Sequence, residues 1–326
     1  PHITPYPERP DSVRLHDAHD LMRHPEQAMA GLVLGVVVTD PHPKAVPLAT
    51  RYRERIFAQE TMADSAKSVA RGFVLQRGAI PRKDSIEVPG TPLLLHRGER
   101  TAVTVVNRLS IPTSVHWHGM ELESVYDGVS GWSGVGASRS PMVMPGDSFT
   151  VAFTPPRAGT FIYHTHMDEE AQLTRGMYAP MIVLEPGEAY DPKRDFVFIF
   201  GRAVVGGKEE SVLNGKKTHA PLKLAVGKTY RFRFINILPV APIQYSVVKD
   251  TVPIIWRSKA KDGALLPASR MKDQPAVVPV GVGETYDFEW TPSGAMDVVL
   301  QVRPLGQGPI KVDQLIQVRA RPAARE

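Results

Sequence analysis

Two parts of the chain carry the same pair of short sequence patterns, about one domain length apart. The first pattern runs from a glycine to an asparagine nine residues later, in GERTAVTVVN from Gly98 and in GKTYRFRFIN from Gly227. The second runs from a glycine to a Thr-Pro pair, in GDSFTVAFTP from Gly146 and in GETYDFEWTP from Gly283. A turn residue followed by β-branched and aromatic residues is typical of a strand. Because the two offsets are 129 and 137 residues, the patterns predict two β-sandwich domains of the same design.

The composition agrees with such domains and argues against several other classes of protein. The 326 residues include 26 glycines and 30 prolines, which suits short strands joined by tight turns. No stretch approaches the ~18 to 20 apolar residues of a membrane-spanning helix, so we expect no membrane partner. The net charge of +5 comes from Lys and Arg scattered among acids, so we expect no nucleic-acid partner. Since cysteine is absent, these residues supply neither disulfides nor a thiolate copper ligand.

Four of the eleven histidines form two closely spaced pairs in the first of these domains. His116 and His118 lie in SVHWHGMELE, and His164 and His166 lie in TFIYHTHMDE. Residues i and i+2 of a strand project from the same face, so each pair can direct two imidazoles at one point. Imidazole nitrogens bind copper, zinc, iron and nickel. The two pairs therefore predict a metal site, while the alternating Trp117 and Tyr163 should point into the core.

The sequence around the histidines resembles a known family. HWHG, then YDG, then GTFIYHTH and GMYAPMIV are similar to the first copper-binding domain of the multicopper oxidases, the laccase-like enzymes. LNGKKT, VGKTYRFRFIN and VGETYDFEW resemble the copper-free middle domain of that family. The resemblance implies an all-β fold of tandem cupredoxin-like Greek-key β-sandwiches. Residues 1–40 would be the C-terminal remnant of a preceding cupredoxin domain, residues 41–188 the copper-binding domain and residues 189–326 the copper-free domain.

The resemblance also implies copper as the cofactor and a role for each histidine. It places His116 on a type 2 copper and His118, His164 and His166 on a type 3 copper pair, which is half the ligand set of a trinuclear cluster. A cupredoxin domain upstream in the chain, or in another subunit, would supply the other half. Asp127, eleven residues after His116, matches an acid that the family has near the cluster, where a carboxylate can relay protons. The alternative is an ordinary Asp-Gly turn.

The first forty residues resemble the end of a type 1 copper domain. A continuous apolar run ends at Val38 and predicts a buried terminal strand. His2 and Met29 match a histidine and the axial methionine of a type 1 site, and on that alignment the cysteine would lie just upstream of Pro1. We therefore expect the chain to start inside the type 1 motif. A second alignment pairs His24 with Met29 and would abolish copper chemistry there, and a third interpretation leaves these histidines on a surface loop.

Three functions stay open at this point. The resemblance implies an oxidase, periplasmic or secreted, that couples one-electron oxidation of a reducing substrate to reduction of dioxygen to water. The second function is a copper-binding or structural module without turnover. Such a module needs no electron-entry site, and the 326 residues contain no complete electron-entry site. A copper nitrite reductase is built from similar domains, but it has a cysteine next to a type 1 histidine where this chain has Thr165.

Overall fold

The structure, a computed structural model, describes residues 49–63, 68–131, 133–168, 171–305 and 308–320. Within these ranges the chain consists of β-strands and turns, with short 3-10 helices at Ser124–Tyr126, Leu173–Arg175 and Ala268–Arg270 and no α-helix. The predicted all-β fold of tandem cupredoxin-like sandwiches is confirmed. No helix in the described part of the chain has the length and apolar character to cross a membrane.

The strands fall into two groups along the chain. The first group is β1 (Tyr52–Ala63), β2 (Ser68–Leu75), β3 (Leu93–His96), β4 (Thr101–Asn107), β5 (Val115–His118), β6 (Gly134–Val135), β7 (Ser138–Arg139), β8 (Ser148–Phe153), β9 (Gly159–Thr165) and β10 (Tyr178–Leu184). The second group is β11 (Asp195–Val205), β12 (Lys208–Leu213), β13 (Leu222–Ala225), β14 (Tyr230–Asn236), β15 (Ile243–Lys249), β16 (Val252–Pro253), β17 (Ile255–Lys261), β18 (Ala264–Leu265), β19 (Asp273–Pro275), β20 (Val277–Val280), β21 (Thr285–Trp290), β22 (Met296–Pro304) and β23 (Val312–Arg319).

These strands build four sheets that enclose two cores. Sheet I has the order β2-β1-β4-β8 and sheet II the order β3-β10-β9-β5. Sheet III has the order β12-β11-β14-β21-β17-β18, with β19 on β17, and sheet IV the order β13-β23-β22-β15-β16, with β20 on β15. Sheets I and II enclose the core of the first sandwich, and sheets III and IV enclose the core of the second. The hairpin of β6 and β7 stands apart.

The two sandwiches repeat one topology. Strand β1 runs parallel to β4 as β11 does to β14, and β3 runs parallel to β10 as β13 does to β23. The asparagines of the sequence repeat make the same hydrogen bond in both halves. The side-chain amide of Asn107 donates to the carbonyl oxygen of Val143 at 2.8 Å, and that of Asn236 donates to the carbonyl oxygen of Val280 at 3.1 Å. The limit predicted between the two domains, residues 188 and 189, falls between β10 and β11.

Alternation along β5 and β9 decides which side chains enter the first core. Trp117 and Tyr163 are fully buried there, as predicted, with ring centroids 5.9 Å apart. Burying an aromatic side chain of this size contributes roughly 2 to 3 kcal/mol. Since successive strand residues point to opposite faces, this burial directs His116 and His118 to the outer face of sheet II.

The outer face of sheet II packs against sheet III. Ile162 and Tyr178 of sheet II form an apolar cluster with Ile199 and Ile235 of sheet III. The buried guanidinium of Arg233 in sheet III also donates a hydrogen bond to the hydroxyl of Thr160 in sheet II. The face that carries the histidines therefore continues into the junction between the two sandwiches.

Candidate metal centre

The pairing of β5 with β9 brings the two histidine pairs together. The strands are antiparallel, with His116 directly opposite His164 and Trp117 opposite Tyr163. Directly opposed residues share a face and have neighbouring Cβ atoms, so the histidines meet on the outer face of sheet II. The ligand nitrogens of His116, His118 and His164 all lie within 4.8 Å of one another. The structure thus joins three of the four predicted ligands in one group.

His166, the fourth predicted ligand, lies beside this group. It is the first residue after β9, and its backbone N–H donates to the carbonyl oxygen of Ser114 at 3.2 Å. Its ring centroid is 5.4 Å from that of His116 and 6.2 Å from that of His164. The strand end therefore places His166 at the margin of the cluster of three.

Hydrogen bonds fix which ring nitrogens can accept a metal. Nδ1 of His116 lies 2.7 Å from the carbonyl oxygen of Asp127, and Nδ1 of His164 lies 2.6 Å from that of Thr165. Because a carbonyl oxygen only accepts, both rings carry their proton on Nδ1 and keep the lone pair of Nε2 for a ligand. Nδ1 of His118 lies 3.3 Å from Nε2 of His164. His118 therefore turns Nδ1 towards the cluster, whereas His116 and His164 turn Nε2.

The buried imidazoles are neutral at physiological pH. Burial, followed by the proximity of His116 and His166, lowers the pKa of His118 to about 4. Burial also holds the pKa of His164 well below its ordinary value. Since a metal binds the unprotonated imidazole, the site offers lone pairs without first having to lose protons.

Asp127 contacts the cluster from the turn that follows the 3-10 helix Ser124–Tyr126. Its Oδ1 lies 3.3 Å from Nδ1 of His116, and its Oδ2 accepts a hydrogen bond from the Ser133 hydroxyl at 3.1 Å. Burial raises the pKa of the carboxyl, but the hydrogen bonds from His116 and Ser133 outweigh burial and lower the pKa below its ordinary value. Gly128 follows with φ +85°, and a Cβ there would meet the carbonyl oxygen of Val115. Asp127 is therefore both the first residue of an Asp-Gly turn and a carboxylate at the site.

Gln172 supports the site and was missed by sequence reasoning. Its side-chain oxygen accepts hydrogen bonds from the hydroxyls of Thr113 and Thr165, both at 2.7 Å, and its amide donates to the carbonyl oxygen of Pro112 at 2.8 Å. These bonds hold the segment after β9 to the segment before β5, at the end of the sheet where the histidines lie. A single glutamine outside a spaced motif carries no signal that could have identified it.

The second sandwich lacks imidazoles at the corresponding positions. Strand β15 takes the place in sheet IV that β5 takes in sheet II, and it pairs with β22 as β5 pairs with β9. Ser246 and Val248 lie on the face of β15 turned away from the core, and Ser246 is opposite Gln301. These side chains offer no nitrogen ligand of the kind that the first sandwich presents.

The residues predicted for a type 1 copper remnant lie outside the described residues. This applies to His2 and Met29, to His24 of the second alignment, and to residues 1–40 as the remnant of a preceding domain. Their assignment stays a prediction.

Comparison with known proteins identifies similar sequences and folds. The family model described as "Multicopper oxidase" matches residues 85–188, which include both histidine pairs. Multicopper oxidase MmcO of Mycobacterium tuberculosis is 32% identical over 132 residues, covering 40% of this chain and 24% of the relative. A probable nitrite reductase-hydroxylamine oxidoreductase fusion protein of Kuenenia stuttgartiensis is 30% identical over 172 residues, covering 46% of this chain and 19% of the relative.

Among solved structures, the multi-copper oxidase from Pseudomonas thermotolerans has the same fold. It superposes with a TM-score of 0.63 at 21% identity, covering 85% of this chain and 66% of that chain. The chain thus spans about a quarter or less of the length of the two curated relatives above.

Proposed function

The chain belongs to the multicopper oxidase family, and from this membership we propose that it supplies half of the ligands of a trinuclear copper cluster. His116 would bind a type 2 copper, and His118, His164 and His166 a type 3 pair. A further cupredoxin domain, upstream in the chain or in another subunit, would supply the remaining ligands. The observation that carries the proposal is the group of three imidazole ligand nitrogens within 4.8 Å of one another.

The donor set fits copper. Neutral imidazole is a good copper ligand, and the protonated Nδ1 atoms of His116 and His164 orient Nε2 in the way that metal-binding histidines require. The carbonyl oxygens that hold these Nδ1 atoms belong to strand β9 and to the turn at Asp127, so the rings are oriented before any metal arrives. Bound copper would supply one-electron chemistry and a place for dioxygen to bind.

Asp127 is the residue that we assign to proton transfer. Reduction of dioxygen to water consumes four protons, so a group beside the cluster must accept protons from solvent and release them. The lowered pKa of Asp127 leaves it ionised at neutral pH, so it would hold a proton only briefly and pass it on rather than store it. The Ser133 hydroxyl orients one carboxylate oxygen, while the other faces His116. Asp127 would thus serve as the acid and base of the reaction.

Electrons would come from a reducing substrate through a type 1 copper outside the described residues. Thr165 stands between His164 and His166 and donates its hydroxyl to Gln172, so no thiolate occupies that position. The type 1 site that we propose around His2 and Met29 would be the place where electrons enter. By family resemblance the protein would work in the periplasm or outside the cell.

Oxygen uptake by the native polypeptide that carries these residues tests the proposal. We expect four electrons from a reducing substrate per dioxygen, without accumulation of hydrogen peroxide, and loss of uptake in His164→Asn. His219→Asn is the matched control, because His219 lies in the second sandwich between β12 and β13. Copper binding without oxygen uptake would instead support a module without turnover and would contradict the oxidase.

The similarity to the probable nitrite reductase fusion protein favours a copper nitrite reductase as the second candidate. That function would require a type 1 cysteine beside His164, where this chain has Thr165. Nitric oxide formation from nitrite without oxygen, at a rate above that of oxygen uptake, would reverse the order of the two candidates.

A further inference from the structure

A turn of the second sandwich lies directly against one of the proposed copper ligands. Gly283 precedes β21 with φ +74°, and a Cβ on it would lie 2.5 Å from Cε1 and 2.7 Å from Nε2 of His118. The Cε1–Nε2 edge of this imidazole therefore rests on the backbone of the turn, while Nδ1 lies 3.3 Å from Nε2 of His164. The ring is held between the other sandwich and the metal cluster.

The turn at residues 281–284 is itself firmly held. The backbone N–H of Gly283 donates to the carbonyl oxygen of Asn236 at 2.9 Å. The carboxylate of Glu284 accepts a hydrogen bond from the N–H of Gly281 at 2.7 Å and pairs with Lys261 at 2.8 Å. His118 therefore packs against a turn that hydrogen bonds and an ion pair hold in place.

The repeat provides an internal comparison for this contact. Gly146 occupies the same place in the first sandwich, since its N–H donates to the carbonyl oxygen of Asn107 at 2.9 Å and its φ is +88°. A Cβ on Gly146 would meet no atom within 4 Å. Positive φ favours glycine at both positions, but only at Gly283 does a neighbouring chain segment also require it.

A hydrogen bond next to the turn opposes a separation of the two sandwiches that would relieve a clash, because the hydroxyl of Thr285 in β21 donates to the carbonyl oxygen of Thr160 in β9 at 2.9 Å. Close approaches leave no free space at the junction either. A Cβ on Gly159 of β9 would lie 2.5 Å from the backbone of Gly263, and a Cβ on Gly201 would lie 2.7 Å from the ring of Tyr178. Both contacts cross the junction between sheets II and III. Because the junction is hydrogen-bonded and closely packed, an atom added at Gly283 has to displace His118.

We propose that the turn at residues 281–284 of the second sandwich is a wall of the metal centre and that Gly283 is a positioning residue for His118. The turn covers the Cε1–Nε2 edge, so the ring presents Nδ1 to the metal. This inference rests on the proposed function, because it takes copper as the metal that His118 binds. It assigns the second sandwich a direct part in metal binding, although none of the proposed ligands of the cluster lies in that sandwich.

The size of the effect follows from the contact distance. Carbon atoms pack at about 3.5 Å or more, so a Cβ placed 2.5 Å from Cε1 pushes the ring by about 1 Å. Ligand positions tolerate only about 0.5 Å before a metal site weakens. Loss of support around a ligand typically costs about 10- to 100-fold in metal affinity, and we expect a loss in this range for Gly283→Ala.

The matched control is Gly227→Ala. Gly227 has the same φ of +74° in the same sandwich, and a Cβ on it would meet nothing within 4 Å. Both variants therefore carry the same backbone strain, and only Gly283→Ala adds an atom against His118. Titration of the metal-free protein with Cu(II), followed by electron paramagnetic resonance, should give wild-type binding for Gly227→Ala and weakened, altered binding for Gly283→Ala.

A second variant keeps the test decisive if Gly283→Ala does not fold. Glu284→Ala removes the acceptor of the Gly281 N–H and loosens the turn without adding an atom at the junction. We expect several-fold weaker Cu(II) binding, and recovery in Glu284→Gln, which keeps an acceptor oxygen. In the metal-free protein, 15N chemical shifts of His118 should change in Glu284→Ala and not in Gly227→Ala.

Wild-type Cu(II) affinity and spectra in both Gly283→Ala and Glu284→Ala would overturn the inference and leave the proposed function intact. Absence of Cu(II) binding by the unaltered protein would overturn both. Weakened binding in Gly227→Ala equal to that in Gly283→Ala would also overturn it, because strain alone would then explain the loss.

Discussion

Replacement of Arg233 by methionine should strongly destabilise the junction between the two sandwiches. The guanidinium is 1% exposed and donates two hydrogen bonds to Asp195, both at 2.6 Å. It also donates to Asp287 at 3.1 Å and to the hydroxyl of Thr160 at 2.8 Å. Burial lowers the pKa of Arg233, but Asp287 and Asp195 outweigh burial and raise it, so the group stays charged. Thr160 belongs to β9, the strand of His164, and the other partners belong to sheet III.

The expected loss in free energy of unfolding is about 3 kcal/mol. Removing one partner of a buried ion pair costs about 3 to 5 kcal/mol, because the other charge is left without compensation. Asp287 keeps the hydrogen bond from Arg231 at 2.6 Å, and methionine fills much of the volume. Asp195 loses both of its hydrogen bonds from Arg233. The lower end of the range therefore applies.

Urea unfolding followed by tryptophan fluorescence measures this loss. Arg257→Met is the matched control, because Arg257 is an exposed arginine of the same sheet that pairs with Asp273 at 3.7 Å. Exposed pairs contribute about 0 to 1 kcal/mol, so the control should change stability by less than about 1 kcal/mol. Equal losses in the two variants would refute the view that the buried charges hold the junction.

Three further changes test other parts of the structure. Thr160→Val removes the hydrogen bonds that the hydroxyl accepts from Arg233 and donates to Asp287 and should lower the free energy of unfolding, measured in urea, by about 2 kcal/mol. Thr104→Val, at an exposed threonine pair, should change it by less than about 0.5 kcal/mol, and similar losses in the two variants would contradict the role of Thr160. Asp127→Asn should keep copper binding but slow oxygen uptake by about 100-fold or more, and an unchanged rate would remove Asp127 from proton transfer. The pKa of His118 is lowered to about 4 from an ordinary 6.5, so the unfolded chain binds this proton at higher pH than the folded protein does. Stability of the metal-free protein should therefore be complete above pH 6.5 and fall towards pH 4, by on the order of 3 kcal/mol, and a wild-type pH profile in His118→Asn would contradict that origin.

The fold was predictable because its signals are local and repeated. Strand alternation depends only on a period of two, so the sequence alone was enough to place Trp117 and Tyr163 inside and His116 and His118 outside. The Gly-to-Asn pattern occurs twice, and the structure gives both copies the same strand order and the same asparagine hydrogen bond.

The supports of the site were not predictable because their partners are distant in sequence. Gln172, Arg233 and Gly283 each act across elements whose contact depends on how the sheets pack, and no motif spacing identifies that role. Gly283 did stand out in the sequence, but only as a turn residue of the repeat. Nothing in that pattern distinguished it from Gly146, which faces open space.

Copper binding by histidine variants of the metal-free protein tests the central claim most directly. Cu(II) is added to the unaltered protein and to His164→Asn, His118→Asn and His219→Asn, and bound copper is quantified and examined by pulsed electron paramagnetic resonance for imidazole nitrogen couplings. The convergence of His116, His118 and His164 predicts copper held by several imidazoles, lost in the first two variants and kept in His219→Asn. Copper binding that survives both His118→Asn and His164→Asn unchanged would contradict it.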